Sequence, residues 1–102
     1  MGFAVEFAPE AERQAAQVEQ WWREHRGGSP TLFERELRTV LTLLAEHPLL
    51  GPPFLRAEQP GIRRYLLRRT RYHLYYSFDR AHRMILVRAV WHTARGQDPA
   101  LT

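Results

Sequence analysis

The chain contains no cysteine and no lysine. Without cysteine, neither a disulfide framework nor a thiolate metal site can form. Without lysine, no side-chain amine is available as base or nucleophile, and all fifteen cationic side chains are guanidiniums that stay protonated at any working pH. No apolar run approaches the roughly 18 residues that a bilayer-spanning helix needs. The start, Met1-Gly2-Phe3-Ala4-Val5-Glu6, meets an acid at once and lacks a basic leader region. The expectation is a cytoplasmic protein without membrane contact. A length of 102 residues, 44% hydrophobic and 25% charged, suits one domain with a single core over residues 1–102.

What is present is unevenly placed. Residues 1–55 hold five arginines and eight glutamates, a net charge of −3. Residues 56–102 hold ten arginines against Glu58, Asp79 and Asp98, a net charge of +7. Codon bias accounts for arginine in place of lysine but not for this clustering. A polarised surface that docks on something anionic is expected.

The periodicities divide the chain into six elements. Phe3, Val5 and Phe7 alternate with Ala4 and Glu6, as in a short strand. Pro9 suits the first position of a helix, and Glu10 and Glu12 complement its dipole. Ala11, Ala15, Val18 and Trp22 form the apolar stripe of that helix, and Gly27-Gly28 ends it. Ser29 as N-cap with Pro30 behind it predicts a second helix, whose stripe is Phe33, Leu37, Val40, Leu41 and Leu44. Pro48 stops it. A Pro/Gly-rich loop over 48–61 crosses to three strands at 62–69, 72–79 and 84–92. Their short links predict an antiparallel meander. The fold class is α+β, in the order β-α-α-β-β-β, with a helical hairpin packed on a small antiparallel sheet.

Several pieces then read together. They are Pro9-Glu10-Ala11, His47-Pro48-Leu49-Leu50-Gly51, Gly61-Ile62-Arg63, Tyr72-His73-Leu74-Tyr75-Tyr76 and Val90-Trp91-His92-Thr93-Ala94-Arg95. In this order and spacing the chain resembles the RelE/ParE superfamily of toxins from type II toxin–antitoxin systems. The resemblance implies a cognate antitoxin whose acidic C-terminal segment folds onto the toxin, and it implies no cofactor. RelE-like members cut ribosome-bound messenger RNA; ParE-like members act on DNA gyrase. RelE-like chains carry arginine where this chain has His73, another near Thr93, and tyrosine near Pro99; of a basic pair in the second strand, Arg64 is present but its partner is Leu66. His92-x-x-Arg95 followed by Pro99 is closer to the ParE side. A non-enzymatic gyrase-directed toxin is therefore favoured. The alternatives are a RelE-like endoribonuclease that contacts RNA or the ribosome, and a non-toxic remnant that only binds its antitoxin.

The candidate residues follow from their chemistry. His92, Arg95 and His73 are the catalytic candidates: imidazole exchanges protons near neutral pH, and Arg95, three residues after His92, stays charged at any working pH. No two of the five histidines have metal-ligand spacing, so no metal site is expected. Arg63, Arg64, Arg68, Arg88 and Arg95 are candidates for holding the antitoxin or the target. Alternation puts Arg64 and Arg68 on one strand face and Arg63 and Arg69 on the other. Trp21 sits beside Trp22, which fits the core stripe, so Trp21 is left at its edge as a contact for antitoxin or a second toxin copy.

Overall fold

Six elements form the scaffold of the computed structural model, which describes residues 2–101. They are β1 (Ala4–Phe7), α1 (Pro9–His25), α2 (Leu32–Glu46), β2 (Arg63–Leu67), β3 (Tyr72–Asp79) and β4 (Met84–His92). The sheet order is β1-β4-β3-β2. The meander is antiparallel as expected, with Leu67 opposite Tyr72 and Asp79 opposite Met84 at its two turns. β1 joins β4 in parallel, Val5 opposite Ile85, so the sheet as a whole is mixed. No described helix is long and apolar enough to cross a membrane.

The helical hairpin covers one face of the sheet. Ala11, Ala15 and Trp22 of α1 and Phe33, Leu37, Val40 and Leu44 of α2 pack on Leu67, Leu74, Tyr76, Ile85, Val87 and Val90. Burying apolar surface at about 25 cal/mol per Å² is what holds these layers together. Ala8 precedes α1 without any side-chain cap. Ser29 is not the N-cap of α2. Its carbonyl accepts the Leu32 N–H at 3.2 Å, which closes a tight turn, and the helix starts only at Leu32. The Glu36 carboxylate fastens α2 to the β2–β3 turn by accepting Arg69 N–H, Thr70 N–H and Thr70 Oγ1–H at 2.7, 2.9 and 2.7 Å. Hydrogen bonds to a charged acceptor contribute roughly 1.5–3 kcal/mol each, so this is a firm anchor.

The second face of the sheet is also covered. Phe54, Ile62, Tyr75 and Ala89 form a smaller core, with Ala57, Trp91 and Leu101 against it. The loop after α2 reaches it by pairing with the start of β2, where Phe54 N–H bonds the Ile62 carbonyl and Arg64 N–H the Pro52 carbonyl. The C-terminal tail returns over the same face. Trp91 Nε1–H donates to the Gln97 carbonyl at 2.8 Å, and Arg56 makes a two-pronged pair with Asp98 at 3.0 and 3.2 Å. A bulge makes room for both cores: Tyr75 faces Ala89 but Tyr76 faces Val87, so Arg88 is the extra residue of β4. Val87 and Val90 thereby both reach the helices, while Arg88 and Ala89 both turn to the other side.

Candidate functional site

The fold distributes the candidate residues over three surfaces. The first is the covered sheet face. Here the Arg64 guanidinium lies 5.1 Å from the Phe54 ring centre and 5.9 Å from that of Tyr75. Arg88 donates to Ser77 Oγ at 3.3 Å and to Gln59 Oε1 at 2.8 Å. His73 packs edge-on to Tyr75, with ring centres 6.1 Å apart. Burial first, and then the Arg64 and Arg71 guanidiniums, pull the His73 imidazole below its ordinary value. The unfolded chain therefore takes up this proton before the folded one. Stability that is complete above the ordinary histidine value, about 6.5, is expected to fall as pH drops below it. Urea melts between pH 7.5 and 5.5 check this, and His73→Asn is expected to flatten that slope.

Arg63 and Arg68 do not join this face. Arg63 Nη1–H donates to the Gly51 and Leu49 carbonyls at 2.7 and 3.2 Å, so it anchors the loop after α2. Arg68 lies beyond the end of β2, in the exposed turn, and shares no strand face with Arg64. The strand stops at Leu67 because Arg71 N–H turns back to the Leu67 carbonyl at 2.8 Å, with Arg71 at φ 69°.

The second surface is a groove of about 670 Å³ between α2 and β2. Leu32, Val40, Leu43, Tyr65 and Leu66 contribute apolar walls, and Arg35, Arg38, Arg68 and Arg69 line it with charge beside Glu36, whose carboxylate is taken up by the β2–β3 turn. Leu43 is 38% exposed there. The sequence reading missed Arg35, Arg38, Tyr65 and Leu66. Leu43 was the available signal, as an apolar residue one step off the buried Leu37–Val40–Leu44 stripe. An apolar bed with a guanidinium rim suits an amphipathic acidic segment.

The third surface is at the end of β4. Trp21, Tyr72, His92 and Arg95 line a small pocket of about 200 Å³, with Gln14 and Gln17. Sequence-distant candidates meet here. Trp21 is 41% exposed and stacks on His25, at 4.8 Å between ring centres and 13° between planes. The Arg95 guanidinium sits 3.9 Å from the Trp91 ring centre. His92 packs edge-on to Tyr72 at 4.8 Å, and its Nδ1 accepts the Ala94 N–H at 3.0 Å. A neutral His92 then carries its proton on Nε2 and has no free lone pair to act as a base. His92 faces the helices while His73 faces the second core, so the two imidazoles lie on opposite sides of the sheet.

With this geometry in place, comparison decides the family. Residues 5–96 match the family of the ParE toxin of type II toxin–antitoxin systems, parDE. The chain belongs to that family. It is a toxin of the ParE/RelE kind. No curated protein matches it. Solved structures share its fold. The Pseudomonas aeruginosa chromosomal ParDE system superposes with a TM-score of 0.68 at 13% identity, covering 88% of this chain and 95% of the other. The RelBE2 toxin–antitoxin complex from Mycobacterium tuberculosis gives 0.66 at 24% identity, covering 90% and 99%. The isolated Escherichia coli RelE toxin gives 0.60 at 25% identity, covering 93% and 88%. This ParE-family chain thus shares its architecture with both branches.

Proposed function

We propose that this toxin arrests growth by acting on DNA gyrase rather than by cutting RNA. We propose further that a cognate antitoxin neutralises it with an acidic amphipathic C-terminal segment laid into the α2–β2 groove. The observation that carries the reading is the separation of the two imidazoles. Acid–base cleavage of a phosphodiester needs a positioned proton acceptor together with charge stabilisation at one place. His73 and His92 sit on opposite sheet faces, and the Nδ1 of His92 is already engaged. The gyrase reading is supported by the match to the ParE toxin family. The antitoxin reading is supported by the apolar walls and four arginines of the groove, and by the toxin–antitoxin complexes among its structural relatives.

Induced expression tests the target directly. The expected result is stalled replication and a DNA-damage response with messenger RNA intact, together with loss of supercoiling by purified gyrase. Discrete codon-specific cuts in messenger RNA, abolished by His92→Ala, would establish the RelE-like alternative instead.

A further inference from the structure

A second cleft lies on the opposite side of α2 from the arginine-lined groove, and its charge is reversed. Two adjoining hollows of about 530 and 450 Å³ share Val5, Phe7, Glu19 and Leu37. They open between the helical hairpin and β1. Glu6, Glu12 and Glu46 stand around them, with Arg38 as their basic member, while Glu34 is taken up in an ion pair with Arg23. Glu19 is held above the usual carboxylate range, by burial first and then by Glu34.

β1 is an edge strand, and its outward peptide groups lie on the side of this cleft. Ala4 and Ala8 N–H donate to the Arg83 and Val87 carbonyls on the β4 side at 2.9 Å each. Alternation along a strand then turns the peptide groups of Phe3, Val5 and Phe7 the other way. Phe3 shows this, because its N–H bonds the Ala45 carbonyl at the end of α2 at 2.8 Å. Val5 and Phe7 continue that row toward the cleft. An edge of this kind is a template for an added strand.

We propose that this cleft docks an extended polypeptide segment of alternating basic and apolar residues, which pairs with Val5 and Phe7 as a fifth strand. On one face its apolar side chains meet Phe7, Leu37 and Leu41, which line or pack beside the cleft. On the other face its basic side chains come level with Glu6, which alternates away from Val5 and Phe7 and is exposed at the rim of the second hollow. Charge complementarity selects the occupant: an acidic segment meets repulsion here and attraction in the α2–β2 groove. The partner chemistry is thus distinct from that of the acidic antitoxin segment, and this inference does not depend on the gyrase target.

The test uses the whole chain and a short labelled peptide alternating arginine and valine, with a glutamate–valine peptide as control. The expected result is saturable binding of the basic peptide, with hydrogen-exchange protection appearing at the Val5 and Phe7 amides. Glu6→Arg, which sets a like charge level with the basic side chains, is expected to weaken it about tenfold. N-methylation of alternate peptide amides, which removes strand pairing but keeps the charge, is expected to abolish the protection. Arg68→Ala with Arg69→Ala, which disables the other groove, is expected to leave this binding unchanged. Equal binding of both peptides, protection that maps to β2 instead, or an N-methylated peptide that protects as well would overturn the proposal.

Discussion

Gly51→Ala is expected to lower the melting temperature by about 10–20 °C, equivalent to a loss of about 2–3 kcal/mol. Gly51 is buried under β3. A methyl group there would stand 2.8 Å from the Tyr76 hydroxyl, 2.9 Å from Tyr76 Cε1 and 3.0 Å from the Arg64 carbonyl. None of these can yield cheaply. Tyr76 is fully buried. Its hydroxyl donates to the Pro48 carbonyl at 2.7 Å and accepts the Gly51 N–H at 2.9 Å. The Arg64 carbonyl belongs to β2, and Arg63 holds Gly51 from the other side. Tyr76→Phe is expected to cost about 2 kcal/mol by leaving the Pro48 carbonyl and the Gly51 N–H without their partner. Because phenylalanine also removes the atom nearest the new methyl, the double variant should be more stable than the two single losses predict. Thermal melts of the three variants measure this, and strict additivity would show that the hydroxyl is not what excludes a side chain at 51.

The clamp also shows where sequence reading stops. His47-Pro48-Leu49-Leu50-Gly51 is visible as a turn, because proline and glycine mark it locally. That its glycine exists for a tyrosine 25 residues later is a tertiary fact. The same division holds elsewhere. β3 and β4 were legible residue for residue, since alternation and short links are local signals. The pairing of β1 with β4 spans almost the whole chain and leaves no local trace. The Arg88 bulge is hidden in a continuous apolar run, so the facing of His92 relative to His73 could not be counted along the strand. Alternation carried too far also grouped Arg64 with Arg68, when a turn intervenes after Leu67. The loop over 48–61 was legible as a loop. Its role as a lid on the second sheet face rests on Phe54 meeting Tyr75, with ring centres 5.0 Å apart. For the site, Trp21 and Arg95 were each named from their chemistry, but only the fold makes them neighbours.

That neighbourhood carries the largest functional effect we expect. Trp21→Ala with Arg95→Ala should relieve growth arrest while the protein stays folded and bound by its antitoxin. Trp21 presents its exposed surface from α1, already fixed by stacking on His25 and by the Arg26 guanidinium 5.5 Å away. Arg95 is fixed over Trp91 just past the end of β4. Side chains held in place before binding lose little entropy when a target docks. Tryptophan and arginine are also the residue types that most often dominate protein interfaces, each costing about 2 kcal/mol or more when truncated. Two such losses amount to roughly a thousandfold weaker target binding. The structural cost is small, because both residues sit at the surface and an exposed cation–π contact contributes only about 0.5–1 kcal/mol. The α2–β2 groove lies elsewhere, so neutralisation should persist. Plating efficiency under induction reads toxicity, inhibition of purified gyrase reads the target, and pull-down on the antitoxin reads the groove. A double variant that folds, binds antitoxin and still arrests growth would move the target contact away from this end of the sheet, with the covered face around Arg64 and Arg88 next to be tried. Loss of all three readouts would instead show that Trp21 and Arg95 support the fold.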